Sequence, residues 1–269
     1  AGYYSVLLDD YQIQAELTAT PRVAFQRFTF PKGTDNHILF NIGNRQGESG
    51  AVKDAYVTYT ADGHIEGWVI TMPEYVKKYQ PGATVPLYFS AVLDRKPESY
   101  GSFHGNTQLA DAKESKGTGA GMYFTFSNEQ QEAVTAKIGL SYTSVENARI
   151  NLQAEAEGKT FEDAKEQAHQ IWQEYLGRIE VETSKREDKV KFYTGLYHAL
   201  LGRGLANDVN GAYPRNDGSV GQLPMKEGKP QYNVYNTDAA WGAQWNLSQL
   251  WTLAYPCLLY TSPSPRDTR

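Results

Sequence analysis

Ile13-Gln14-Ala15-Glu16-Leu17-Thr18-Ala19 alternates apolar with polar side chains, and Phe28-Thr29-Phe30 resumes the pattern a few residues later. A period of two places every second side chain on the same face, the signature of a strand buried on one side. Further strand-like runs are His37–Asn41, Ala55–Thr60, Ile65–Met72, Val85–Leu93, Met122–Ser127 and Val134–Tyr142, and Ala1-Gly2-Tyr3-Tyr4-Ser5-Val6 reads as the start of another. Turn signals separate them: Pro31-Lys32-Gly33, Asp62-Gly63, Pro81-Gly82, Asp94 to Pro97 and Ser127-Asn128. Many short strands with no helix between them predict an antiparallel β-sandwich over residues 1–143.

Around Ser144 the period lengthens to that of a helix, beginning with Ala148, Leu152 and Glu155. Thr160-Phe161-Glu162-Asp163 reads as a capped helix start, and Ala164, Ala168, Ile171, Trp172, Tyr175, Leu176 and Ile179 then fall on one face. Residues 144–186 are therefore expected to form a helical linker. Ser184-Lys185-Arg186-Glu187 has the spacing of a capping box, so another helix is expected to start there. Its buried stripe is Val190, Tyr193, Tyr197, Leu200 and Leu201, and Gly202 and Gly204 mark its end. Residues 205–235, rich in Gly, Asn, Asp and Pro, predict an ordered loop or short hairpins. Asp238 to Tyr255 reads as helix again, with Trp241, Trp245, Leu247, Leu250, Trp251 and Leu253 on more than one face.

The formal charge of -5, with no dense Lys/Arg cluster, argues against a nucleic-acid partner. No apolar stretch is long enough to span a bilayer, and residues 1–20 carry no export signal. A lone Cys257 excludes internal disulfides and Cys-rich metal sites. Residues 257–269 resemble the translation of a sequencing-library adapter, so they are expected to be an artefact and are set aside from the fold.

Gly117-Thr118-Gly119-Ala120-Gly121 lacks the Lys and the following helix of a phosphate cradle and reads as a turn. Asp208-Val209-Asn210-Gly211 resembles the opening of a calcium loop, but its Gly comes too early, and a turn is expected. His37, His64, His104, His169 and His198 show no zinc spacing, and no Gly-x-Ser-x-Gly elbow occurs. The richest stretch is Tyr232 to Trp245, where Asn236, Asp238 and Trp241 meet at a loop-to-helix junction. Carboxylates and amides make forked hydrogen bonds to sugar hydroxyls, and an aromatic ring stacks on the C–H face of a pyranose. The same residues also suit a helix cap and an aromatic core.

Four stretches together resemble glycoside hydrolase family 92, the calcium-dependent exo-α-mannosidases. They are Gln14 to Pro31, Lys137 to Ala148 with Asn151-Leu152, Phe192 to His198, and Asp208 to Tyr213, in the family's order and spacing. The resemblance implies a β-sandwich followed by an (α/α)6 barrel, with the active site at their junction and residues 187–256 as the start of the barrel. It implies inverting hydrolysis of terminal α-mannosides by a Glu acid and an Asp base, with calcium holding the mannose hydroxyls. The acid, base and calcium ligands match nothing here, so the chain is expected to be a fragment truncated at both ends and silent by itself. The substrate-binding Asp of the family's Trp-Asp-Thr motif aligns with Asp238, although Thr237 and Ala239 replace its neighbours and leave the linkage open. Trp241, Asn236 and Tyr213 are secondary candidates for the same pocket. The partner implied is a mannose-containing glycan, and the parent is expected to be periplasmic or extracellular. Two rival readings are a non-catalytic carbohydrate-binding sandwich with a helical appendage, and another (α/α)6 glycosidase or glycoside phosphorylase.

Overall fold

The computed structural model describes residues 1–256 except 34–35, 47–49, 75–77, 79, 128, 130–132, 202–203, 237–242 and 244. The chain divides into two compact units, one of Tyr3–Lys165 and one of Ala1–Gly2 with Glu166–Arg269.

The first unit is built on two antiparallel sheets. The larger runs β1-β2-β3-β12-β7-β6-β5-β10, from β1 (Tyr3–Leu8), β2 (Ile13–Ala19), β3 (Val23–Thr29), β5 (Ala51–Tyr59), β6 (Ile65–Met72), β7 (Val85–Leu93), β10 (Glu114–Lys116) and β12 (Val134–Ser141). The smaller runs β4-β11-β8-β9, from β4 (Asn36–Asn41), β8 (Ser99–His104), β9 (Thr107–Ala110) and β11 (Ala120–Phe126). The predicted sandwich is therefore present, with helices after it. Phe30, Ile38, Phe40, Val57, Ile65, Phe89, Met122, Phe124 and Phe126 form its core, where Phe124 meets Phe40 edge-on at 5.8 Å and Tyr59 at 5.2 Å. Strands β8, β9 and β10 were not expected. They carry Gly101, Ser102, Gln108 and Ser115 where an apolar alternation would have announced them, and β9 is exposed throughout.

The opposite face of the larger sheet is also covered. Helix α1 (Val145–Ala156), capped by the Ser144 hydroxyl accepting from the Asn147 amide, lies on it with the start of α2 (Phe161–Leu176). Val23, Phe25, Leu152, Ala156, Phe161 and Ala164 form the second core there. Gly139 makes the close approach possible, because a methyl at that position would come within 2.7 Å of the Leu152 Cβ. The Lys137 ammonium donates to the carbonyls of Ala156 and Lys159 at the end of α1. Glu155 accepts from Thr20, from the Arg22 amide and from the Arg22 guanidinium at 2.6–2.9 Å, tying α1 to the turn between β2 and β3. Thr160 caps α2: its hydroxyl accepts from the Asp163 amide, and the Asp163 carboxylate accepts from the Thr160 amide and hydroxyl.

The second unit holds the rest of α2, then α3 (Arg186–Leu201) and α4 (Leu247–Ala254). Leu196, Trp251 and Tyr255 are its buried centre, joined by Tyr175, Leu176, Phe192, Tyr193 and Leu250. Tyr175 and Tyr255 stack in parallel at 6.0 Å, and the Tyr255 hydroxyl donates to the Tyr175 carbonyl at 2.8 Å. Helix α3 starts two residues after Ser184, and no Ser184–Glu187 exchange forms. Instead Thr183 accepts from the Lys185 amide and donates to the Asp188 carboxylate. Among the described residues no helix is long and apolar enough to cross a membrane.

Candidate functional site

Between α3 and α4 the chain folds into three short ribbons: β13 (Gly204–Leu205) with β18 (Tyr235–Asn236), β14 (Ala212–Pro214) with β15 (Val220–Gln222), and β16 (Met225–Lys226) with β17 (Lys229–Pro230). Their turns follow from composition. Gly211 sits at φ 83°, a conformation that costs glycine little, and Gly218 and Gly228 are likewise left-handed. The Asp208 carbonyl accepts from the Gly211 amide at 2.9 Å and the Ala212 carbonyl accepts from the Asp208 amide at 2.8 Å. Asp208-Val209-Asn210-Gly211 is thus a closed turn, with the Asn210 side chain accepting from the Ala212 amide at 3.1 Å. The Asp217 carboxylate is held below its usual range by the Ser219 hydroxyl and amide, which donate to it across the β14–β15 turn.

Tyr213 leaves that turn on β14, directly opposite Gly221. The ring lies across the ribbon where a side chain would otherwise stand, since a methyl on Gly221 would come within 2.5 Å of it. The Arg215 guanidinium is 5.9 Å from the ring centroid, at the edge of cation–π range. Half-buried and backed by a glycine, Tyr213 is a supported ring next to polar groups, the chemistry a sugar ring needs.

Asn236 is on the other ribbon, where its backbone pairs with Gly204 while Tyr235 pairs with Leu205. Asp238 and Trp241 lie outside the described residues, two and five positions beyond the end of that strand. The ribbons of Tyr213 and Asn236 are separate, and what joins them is a residue that sequence reasoning passed over. Asn207 is 2% exposed, and its Oδ1 accepts from the Val234 amide at 2.8 Å. Its Nδ2 faces the Asp208 carbonyl at 3.2 Å and the Asn233 Oδ1 at 3.4 Å. Nothing local marks Asn207 as important, because two of its partners, Asn233 and Val234, are 26 and 27 residues away.

Among the described residues no three His, Cys, Asp or Glu side chains come together.

Residues 1–141 match the model of the glycosyl hydrolase family 92 N-terminal domain, and residues 147–260 match that of the family 92 catalytic domain. No curated protein matches the chain. Among solved structures, the fold is similar to the family GH92 α-mannosidase BT3965 from Bacteroides thetaiotaomicron, with TM-score 0.80 and 23% identity over 93% of this chain and 33% of that one. The same mannosidase in complex with mannoimidazole gives TM-score 0.80 and 23% identity over 93% of this chain and 32% of that one. The inverting mannosidase BT2199 from the same organism gives TM-score 0.77 and 22% identity over 97% of this chain and 33% of that one. The chain thus spans about a third of the length of these enzymes. With both family domains matched in succession and the larger match alone covering more than half of its residues, the chain belongs to glycosyl hydrolase family 92.

Proposed function

We propose that the chain is a portion of an exported, inverting, calcium-dependent exo-α-mannosidase that removes terminal mannose from glycans, and that it is silent by itself. The observation carrying this reading is the succession of the two family domains along one chain. Support for mannose comes from the similar mannosidase solved with mannoimidazole, and support for inversion from the similar enzyme described as inverting. In an inverting hydrolysis a carboxylic acid protonates the leaving oxygen while a carboxylate takes a proton from the attacking water, the two roughly 6.5–9.5 Å apart. No residue of this chain is assigned either role.

What these residues contribute is binding. Asp238 accepts hydrogen bonds from two neighbouring hydroxyls of the terminal mannose, Asn236 adds an amide, Trp241 covers a C–H face, and Tyr213 lines the same pocket. The test is to incubate the full-length protein with an aryl α-mannoside and follow the first-formed anomer by NMR, with and without a calcium chelator. β-Mannose should appear first, and only with calcium. Asp238→Ala should lower kcat/KM about 100-fold, as expected for losing hydrogen bonds to a charged acceptor. Calcium-dependent mannose release by residues 1–256 alone would overturn the silent assignment.

A further inference from the structure

We infer that the outer face of the smaller sheet is a carbohydrate-binding surface, on which the rings of Phe103 and Tyr123 stack against neighbouring sugar residues of an uncharged polysaccharide. The surface goes beyond the mannosidase reading and does not depend on it.

Ile38 and Phe40 of β4, and Met122 and Phe124 of β11, point into the sandwich core, so the residues between them point outward. The register then sets the rows across that outer face. One row runs from Asn41 through Gly121 and Phe103 to Gln108, and the next from Leu39 through Tyr123 and Gly101 to Ala110. In each row a ring stands opposite a glycine. A methyl on Gly121 would come within 2.6 Å of the Phe103 Cζ and of both its Cε atoms, and a methyl on Gly101 within 2.6 Å of the Tyr123 Oη and Cζ. Such closeness to three neighbouring ring atoms at once is reached over the face of a ring and not past its edge, so Phe103 lies flat on Gly121 with its other face outward. Tyr123 covers Gly101 in the same way from the opposite strand, and both glycines are buried beneath the rings. Rows two residues apart along a strand are separated by about 7 Å, so the two rings make a platform that consecutive sugar residues can span.

The groups around the rings select the occupant. A pyranose shows C–H groups on its faces and hydroxyls at its rim, and is held by an aromatic plane with hydrogen-bonding groups beside it. The exposed amides of Asn41 and Gln108 end the Phe103 row on either side. The Asn41 Oδ1 accepts from the Asn44 Nδ2 at 2.7 Å, which fixes the orientation of that amide. A third row adds hydroxyls, with the Thr125 Oγ1 3.0 Å from the His37 Nδ1 and Ser99 opposite Thr125. No Asp, Glu, Lys or Arg stands in any of the three rows, although the chain has a formal charge of -5. A face without charges suits a neutral chain of sugars and offers nothing to an acidic glycan or an anionic lipid surface. The solvated face of an antiparallel sheet is ordinarily polar, whereas here Leu39, beside Tyr123, is 60% exposed. A second copy of the protein does not fit the patch. Stable pairs bury roughly 800 Å² per partner, and one leucine with two rings already flat against the sheet supplies a small part of that.

The experiment titrates the full-length protein with yeast mannan and with xylan in a calorimeter, together with its Phe103→Ala, Tyr123→Ala and Asn41→Ala variants. The same samples give kcat/KM on an aryl α-mannoside, the melting temperature and the oligomeric state by sedimentation. The wild type should bind at least one of the two polysaccharides, with a Kd that changes less than about twofold between about 0.05 and 0.5 M salt. Each ring variant should raise that Kd about tenfold, and Asn41→Ala about threefold, while kcat/KM on the small mannoside stays within about twofold. Should the ring variants fail to fold, Asn41→Ala, which truncates an exposed side chain, carries the test. No binding by the wild type to either polysaccharide, or the same Kd in every folded variant, overturns the inference. An unchanged Kd with a lower melting temperature would assign the rings to packing within the protein, and with a lost dimer to a contact between copies. Absence of mannoside turnover by the wild type removes the mannosidase reading instead and leaves the titrations to decide the surface.

Discussion

The sandwich unit and the ribbon segment between α3 and α4 hold their shapes by different means. In the first, the larger sheet is covered on one face by the smaller sheet and on the other by α1 and the start of α2, so apolar side chains on both faces are buried. In the second, Ala212, Leu223, Asn207 and Asp208 are buried, and the ribbons are two or three residues long. Hydrogen bonds do much of the work there, among them those of Asn207 with Asn233 and Val234, 26 and 27 residues along the chain. Apolar packing is non-directional and tolerates substitution, whereas a bond from one buried amide fixes both distance and direction and fails when one atom is lost. The scaffold is therefore robust, and the segment bearing the proposed mannose contacts is specific.

The largest effect that sharpens this contrast is expected in the sandwich. Phe124→Ala removes a fully buried ring between Phe40 and Tyr59 and should cost about 3–5 kcal/mol, read as a shift of the urea midpoint followed by β-sheet circular dichroism. A shift worth less than about 1 kcal/mol would mean that the core relaxes around the loss, and that the sandwich is not the rigid part of the chain.

The same contrast explains what the sequence made legible. Ile65–Met72 and Val85–Leu93 have the bounds expected from the sequence, because their apolar residues answer the cores that cover the sheet. Strands β8 to β10 were invisible since Gly101, Ser102 and Ser115 are buried without being apolar: Ser115 donates to the Phe103 carbonyl, and Gly101 makes room for the Tyr123 ring. Thr160 and Asp163 were readable as a cap because both partners are local. The Ser184 box was misread because Thr183, one residue earlier, takes the same kind of bonds first. Of the candidate site, the turn at Asp208 and the short hairpins were legible from Gly and Asn. Tyr213 gains its glycine backing, and Asn207 its clamp, only from residues brought close by the fold.

A smaller effect tests whether the two units unfold separately. Tyr255→Phe deletes the hydroxyl that donates to the Tyr175 carbonyl while keeping the stacked rings, and should cost about 1 kcal/mol. Native-state hydrogen exchange should show α4 amides exchanging about fivefold faster, with the amides of β7 and β12 unchanged. Equal acceleration in the strands would show one cooperative body and remove the distinction drawn above.

The smallest expected effect lies at a polar patch of the sandwich beside α1. Ser90 donates its single hydroxyl proton to Glu66 at 2.8 Å, so the contact with His64 at 3.0 Å must run from the imidazole Nδ1–H to the Ser90 oxygen. Arg149 bridges Glu66 and Asp62 at 2.7 Å each, and its charges complete the surroundings of the ring. Burial, then the Arg149 charge, push the His64 pKa below its usual value, while Asp62 and Glu66 pull the other way without overcoming them. A histidine whose folded pKa is depressed takes up a proton more readily in the unfolded chain. Stability is therefore greatest above the unfolded value near 6.5, falls as pH drops below it, and levels off below the folded value. Glu16 adds a loss at lower pH: hydrogen bonds from Arg27 hold its pKa below the ordinary value, so its contribution disappears as pH falls through the folded value. His64→Gln keeps a side-chain donor for Ser90 and removes the titration. Melting temperatures of wild type and variant from pH 8 to pH 5 should diverge only below about pH 6.5, with the variant falling less steeply. Parallel curves over that range would show that His64 takes up its proton as easily folded as unfolded, and that the patch beneath Arg149 is wetter than its hydrogen bonds imply.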